Sequence, residues 1–427
     1  MHHFAYRDGA LHAEDVNLAV LAAEIGTPAY VYSTATLNRH IEVFRAVFQP
    51  REVGVFFAMK ANGNLSVLAT VAQLGAGADT VSEGEVRKAM AAGIPPERIV
   101  LSGVGKTAEE LAFAVDVGVH QINVETPGEL DTLDRVAAAR GKRVPIVFRV
   151  NPDVGAGGHA KITTGGEDSK FGVSFDEIEA LYARAATMPG VQPLGLAVHI
   201  GSQILDLAPL RAAFERMAEL VRRLRAQGQR VERLDLGGGL GVDYRPNQPY
   251  EEGPERVQEY AAMVLHVTRG LDVHLAFEPG RLIVANAGIL LARVVAFNRR
   301  ANRTFAVLDA GMNDLIRPAM YESHHEIVPI VAPKPSVVPV LYDVVGPICE
   351  SSDLFASNRL LSPLSEGDLI AFLSAGAYGA TMSLTYNMRR LVPEVLVNRD
   401  RYAIVRPRQT WDELIGLDRM APWLTNR

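Results

Sequence analysis

Lys60 closes the apolar run Val53-Gly54-Val55-Phe56-Phe57-Ala58-Met59 and is followed at once by Ala61-Asn62-Gly63-Asn64. A strand of this kind delivers its last side chain to the rim of a parallel sheet, where Phe56, Phe57 and Met59 would keep an amine partly dry. Desolvation disfavours the ammonium form, and a neutral lysine amine attacks carbonyls to form a Schiff base. The plainer alternative is a lysine that ends a strand and extends its stem to water. The run Phe277-Glu278-Pro279-Gly280-Arg281 sets a carboxylate and a guanidinium on either side of a turn. They could form a structural ion pair, or Glu278 could hold a cationic ring nitrogen while the planar fork of Arg281 takes a carboxylate. His199, in Ala197-Val198-His199-Ile200-Gly201-Ser202-Gln203, reads either as a hydrogen-bonded core histidine or as a flat ring stacked on a ligand. The cluster Gly237-Gly238-Gly239-Leu240-Gly241 reads equally as a flexible turn or as a cup of backbone N–H groups for phosphate.

Competing chemistries lack their patterns. There is no His-Glu-x-x-His helix and no Cys-x-x-Cys pair, and the adjacent His324 and His325 would point apart in a strand, so no metal site is expected. No Gly-x-Ser-x-Gly elbow marks a nucleophilic serine, and the glycine spacing is not that of a dinucleotide fold.

These polar residues share one position, the end of an apolar run. Eight such runs occur between about residues 50 and 280: 53–59, 78–81, 99–101, 121–124, 144–150, 194–200, 231–236 and 273–277. Helical patterns separate them, such as Leu210, Ala213, Phe214, Met217, Val221 and Leu224, ended by Gly228. Four helix starts carry a Ser/Thr-x-x-Glu capping box: Ser82 with Glu85, Thr107 with Glu110, Thr126 with Glu129, and Ser174 with Glu177. Eight strand–helix units in this length predict a closed (β/α)8 barrel, with Lys60, Asp79, Ser82, Arg149, Asn151, His199, the glycine cluster and Glu278 delivered to its mouth. After Arg281 the pattern changes to β-branched runs at 289–297, 304–308, 336–345, 368–373, 394–397 and 402–405, which predict a β-rich domain. The expected division is an N-terminal segment 1–31 packing with the β domain, a barrel 32–281, and a C-terminal β domain 282–427. The segment from Asn151 to Gly172 is long for a βα loop and is read as a moving lid.

The chain has 427 residues, a net charge of -6 with scattered basic residues, and a single cysteine, Cys349. This composition argues against a nucleic-acid surface and excludes an intrachain disulfide. No run reaches the roughly 18 to 20 apolar residues of a membrane span, and no basic-then-apolar leader opens the sequence. A cytoplasmic location is the expectation.

Together the motifs resemble the fold-type III pyridoxal-phosphate enzymes, the superfamily of alanine racemase and the group IV decarboxylases, and within it most closely the diaminopimelate decarboxylases. The resemblance spans nearly the whole chain. It is carried by Phe57-Ala58-Met59-Lys60-Ala61-Asn62, Thr163-Thr164-Gly165 with Ser169-Lys170-Phe171-Gly172, the His199 and glycine motifs, Glu278-Pro279-Gly280-Arg281, and Cys349-Glu350-Ser351-Ser352-Asp353. It implies that Lys60 carries pyridoxal 5'-phosphate as an imine, that Glu278 keeps the pyridine nitrogen protonated, and that His199 stacks on the ring. It places Ser202, Gly239, Pro279, Gly280, Arg281 and Tyr378 on the cofactor, and Arg281, Arg317, Tyr321, Glu350 and Tyr378 on the substrate. Cys349 would return a proton to the carbanion from the side vacated by carbon dioxide. The implied reaction is decarboxylation of meso-2,6-diaminopimelate to L-lysine in a homodimer with shared sites. The alternatives are a decarboxylase of ornithine, arginine or another diamino acid, a racemase, and a catalytically dead binding module. Retention of Lys60 and Cys349 argues against the last.

Overall fold

The computed structural model of the chain describes residues 2–155, 164–165, 169–245, 254–334 and 336–425. These divide into two compact units, Thr36–Ala285 and a second that joins His2–Ala35 to Asn286–Arg427. Residues 156–163 and 166–168 of the segment read as a lid lie outside the described residues.

The first unit is a closed ring of eight parallel strands: β1 (Val53–Ala58), β2 (Gly77–Thr80), β3 (Ile99–Leu101), β4 (Gln121–Val124), β5 (Val144–Asn151), β6 (Val191–Ala197), β7 (Arg233–Asp235) and β8 (His274–Phe277). Each pairs with the next, and β8 returns to β1 with Leu275 opposite Val53. All eight expected runs are strands, but two ends move in ways that affect the mouth. β1 stops at Ala58 because the chain tightens into a 3-10 turn, Met59–Ala61, so Lys60 sits in a turn. β6 stops at Ala197, which leaves His199 in the loop beyond it.

The helices follow their capping chemistry. Thr107 and Glu110 form the full reciprocal box, and Thr126 accepts from the Glu129 amide. Ser82 accepts from the Glu85 amide while the Glu85 carboxylate holds the amide of Val81. The expected box at Ser174 does not form. Ser174 ends a two-residue parallel strand on β5, its carbonyl accepts from the Glu177 amide in a turn, and the helix begins only at Ile178. Beneath β8 lies an aromatic cluster: the Phe277 ring centroid is 4.7 Å from Phe48 and meets Phe44 edge-on at 5.4 Å, and Tyr260 stands perpendicular to Phe48. Such pairs contribute about 0.5–1.5 kcal/mol each beyond area burial, and here they brace the strand that ends at Glu278.

The second unit is built on a nine-stranded mixed sheet whose main path runs 354–361, 340–345, 304–308, 288–299, 29–33, 394–398 and 401–406. Its spine is Gly288–Arg299. The strand Ala29–Ser33 pairs antiparallel with this spine and parallel with Glu394–Asn398, and every one of its residues is buried. The run expected from 336 becomes a strand only at Val340. The strand Leu354–Leu361 is not among the expected runs; within it Asn358 takes a left-handed φ of 47° beside a register shift. Among the described residues no helix is long and apolar enough to cross a membrane.

Candidate active site

Lys60 Nζ lies 2.6 Å from Asp79 Oδ2, with the lysine side chain 37% exposed and Asp79 fully buried. The amine is therefore held by charge, on a side chain that stays partly open to solvent instead of being dried by the apolar run before it. Asn62 and Asn64 fasten the turn: the Asn62 side chain accepts from the Asn64 amide at 3.0 Å, and Asn64 caps the helix Leu65–Gln73.

The floor of the site is carboxylic. Burial drives the Glu278 carboxyl well above its usual pKa, and the neighbouring Asp235 and Asp79 push it further. Asn123 Nδ2 donates to Glu278 Oε1 at 3.3 Å, and Ser102 Oγ stands 3.5 Å away. No cationic side chain forms an ion pair with Glu278 among the described residues. Asp235, fully buried at the end of β7, shares a hydrogen bond with Glu278; burial first, with the Asp79 charge adding, raises its pKa to about 6. The Gly237 amide holds Asp235 Oδ1 at 2.9 Å. Asp235, Asn123 and Ser102 escaped the reading of the sequence. The one signal for Asp235 is an acid set between Leu234 and Leu236, next to the glycine cluster.

Arg149 does not point freely into the mouth. It pairs with Glu125, donates to the His199 carbonyl, and lies over the Phe171 ring at 4.6 Å. Glu125 also accepts from the amides of Gly103 and Gly172, which ties the Ser169-Lys170-Phe171-Gly172 motif to the barrel rim. Asn151 closes a local turn by accepting from the Asp153 amide. Burial, with the charges of Arg149 and Lys60, keeps the His199 ring well below its usual pKa. Its Nδ1 accepts from the Gly238 amide at 3.4 Å, so the ring is neutral.

The glycine loop closes around this ring. A Cβ at Gly237 would stand 2.4 Å from the Val198 carbonyl, at Gly238 2.4 Å from that of Glu278, and at Gly239, where φ is 103°, 2.5 Å from that of Gly201. Only residues without side chains let these backbones approach. At Gly280 a Cβ would crowd Ala58 and Ala61 at 3.1 and 3.0 Å, and the Pro279 carbonyl accepts from the Ala58 amide. Arg281 is buried; its guanidinium donates to Tyr244 Oη at 2.8 Å and Ser202 Oγ at 3.2 Å. Arg281 thus joins the β6 and β8 loops instead of pairing with Glu278.

The second unit carries its own cluster. Arg317 opens the short helix Arg317–Tyr321 and is buried, with Nη1 2.7 Å from His325 Nε2 and Nη2 3.3 Å from Ser323 Oγ. Tyr321 ends that helix, partly buried. Cys349 is exposed, and its amide donates to Asn387 Oδ1. Beside it Glu350 accepts from Ser352 Oγ, and Asp353 pins the turn by accepting from the amides of Met312 and Ile348 at 2.6 Å. Tyr378 takes a φ of 56°, uncommon for a bulky residue and a frequent mark of functional loops. Among the described residues no group of three or more His, Cys, Asp or Glu side chains could hold a metal ion.

In the first unit, a rim lysine, a buried carboxyl that forms no ion pair among the described residues, a neutral imidazole and a tight glycine loop together define a barrel that could take a phosphorylated, nitrogen-heterocyclic aldehyde. The family model described as "Pyridoxal-dependent decarboxylase, pyridoxal binding domain" matches residues 34–285, and the cofactor is pyridoxal 5'-phosphate. The chain is 45% identical to the diaminopimelate decarboxylase of Zymomonas mobilis over 99% of both chains, and 46% identical to that of Pseudomonas aeruginosa over 98% of this chain and 99% of that one. The crystal structure of Helicobacter pylori diaminopimelate decarboxylase complexed with L-lysine superimposes with a TM-score of 0.89 at 37% identity, covering 94% of this chain and 99% of that one. The chain belongs to the diaminopimelate decarboxylase family.

Proposed function

We propose that this chain decarboxylates meso-diaminopimelate to L-lysine and carbon dioxide. The observation that carries the reading is Glu278, a buried carboxyl raised well above its usual pKa and, among the described residues, in no ion pair, set at a barrel mouth where Lys60 supplies an amine. Bound pyridoxal phosphate supplies an aldehyde that condenses with amines and a protonated ring that accepts the electron pair left by a departing carboxylate. The protein's part is positional and electrostatic. Lys60 is the carbonyl-directed amine, and the 2.6 Å ion pair with Asp79 holds it in place. Glu278, which burial favours as the neutral acid, would share its proton with the ring nitrogen and pair with that nitrogen as a carboxylate, while Asn123 and Ser102 hold its oxygen. His199, neutral and flat, would lie against the cofactor ring. Gly239, Pro279 and Gly280 would shape a cup for the phosphate, with Ser202, Arg281 and Tyr378 as its side-chain partners.

On the substrate, Arg317 and Tyr321 take the distal carboxylate, assisted by Arg281 and Tyr378, and Glu350 takes the distal ammonium. Cys349 delivers a proton to the α-carbon. The same reading makes the protein a cytoplasmic homodimer whose protomers share their sites. Carbon dioxide release from meso-diaminopimelate, ornithine, lysine and arginine tests it: turnover is expected with diaminopimelate alone, and comparable turnover of ornithine would defeat the assignment.

A further inference from the structure

We propose that His325 is a positioning residue for substrate recognition, its imidazole fixing the orientation in which Arg317 presents its guanidinium to the distal carboxylate. The proposal rests on the reading that Arg317 meets that carboxylate. Arg317 Nη1 lies 2.7 Å from His325 Nε2, and a guanidinium only donates, so Nε2 must offer its lone pair. The ring's single proton is then on Nδ1, which donates to the Leu373 carbonyl at 2.9 Å. Leu373 follows directly on the strand Leu369–Phe372, and its own amide donates to the Glu326 carbonyl at 2.8 Å. The imidazole is thus registered against the sheet, and through it the guanidinium.

Local backbone brings the pair together. The short helix Arg317–Tyr321 ends with Glu322 in a left-handed conformation, and the chain folds back so that Ser323 Oγ reaches Arg317 Nη2 at 3.3 Å. With each terminal nitrogen held by a different residue, the plane of the fork is set before substrate arrives. Both side chains are nearly inaccessible, Arg317 at 4% and His325 at 2%. A long arginine side chain left to choose among rotamers would have to be ordered on binding, at a cost that this bonding avoids.

Two amide substitutions separate positioning from simple packing. Asparagine places its amide near Nδ1, so His325→Asn keeps the Leu373 bond and loses the acceptor for Arg317. Glutamine places its carbonyl near Nε2, so His325→Gln keeps that acceptor. The assay uses full-length, pyridoxal-phosphate-loaded enzyme, with L-lysine and cadaverine as inhibitors: L-lysine retains an amino-carboxylate end, and cadaverine has none. His325→Asn is expected to raise KM for diaminopimelate and Ki for L-lysine about tenfold or more, the effect of losing a hydrogen bond to a charged group. It should leave kcat and the cadaverine Ki within about twofold. His325→Gln should recover most of the loss. The proposal is overturned if His325→Asn weakens both inhibitors alike, or if it leaves KM unchanged while Arg317→Ala raises it. An unchanged KM in Arg317→Ala itself would overturn the substrate reading, and this inference with it.

Discussion

An amine that faces a buried carboxylate, as Lys60 faces Asp79 at 2.6 Å, is fixed in position before any ligand arrives. The pair sets that amine where a carbonyl ligand at the barrel mouth would meet it. Lys60→Ala is therefore expected to abolish the pyridoxyl mass on the peptide around position 60 after borohydride reduction and to bring decarboxylation to background. Normal turnover in that variant would end the case for Lys60. Asp235 gives a separate, cofactor-free prediction. Its pKa rises from 3.8 to about 6 on folding, mainly by burial, so the folded state prefers the neutral acid. A raised acid contributes its stability below pH 3.8 and loses it as pH rises through about 6. Asp235→Asn, which keeps an acceptor for the Gly237 amide, has no such loss. Its apoprotein should melt a few degrees above wild type at pH 7.5, corresponding to roughly 1–3 kcal/mol, with the gap closing towards pH 4. A gap independent of pH would show that the carboxyl is not strained by burial. Lys60, Glu278 and Arg281 were legible in sequence because polar residues at the ends of apolar runs stand out. The partnership of Arg317 with His325 was not, since it depends on a turn that no spacing rule marks.

At the scale of elements, the strand–helix alternation could be read because each helix needs an apolar face and a start signal, and three of the four capping boxes place a Ser or Thr cap where expected. The box at Ser174 failed because pairing with β5 claimed that residue for a strand. The glycine loop was left between turn and cradle. Its close approaches to the carbonyls of Val198, Glu278 and Gly201 show a loop packed in one conformation in place of a flexible turn. Gly239→Ala would put a Cβ 2.5 Å from the Gly201 carbonyl at a φ of 103°, a strain of about 1–3 kcal/mol at the loop alone. Cofactor affinity, followed by titrating the apoenzyme and reading the visible band, should fall roughly tenfold or more. The far-ultraviolet spectrum should stay unchanged, because β7 and β8 do not depend on that residue. Equal affinity in the variant would mean that the loop does not touch the phosphate.

At the scale of the whole chain, a β-rich second half was evident from its β-branched runs, but the sheet's central place for residues near the N-terminus was not. Ala29–Ser33 lies between strands that begin some 260 and 360 residues later, a non-local pairing that local pattern cannot reveal. Its side chains show how much rests on it. Tyr32 is fully buried, stacks near Tyr30 at 6.2 Å, and donates to Glu394 Oε2 at 2.5 Å, while Tyr30 donates to the Asp314 carbonyl. Tyr32→Ala would open a cavity and remove a partner from a buried carboxylate that Arg406 also holds. Truncating a buried aromatic costs about 3–5 kcal/mol. Because the two units fold around separate cores, the loss should be local. Hydrogen exchange read by mass spectrometry is expected to quicken in the strands 288–299 and 394–398, while β1 to β8 keep their protection. Equal loss of protection in the barrel strands would show instead that the units unfold as one, and that the N-terminal strand stabilises the site-bearing barrel as well as its own sheet.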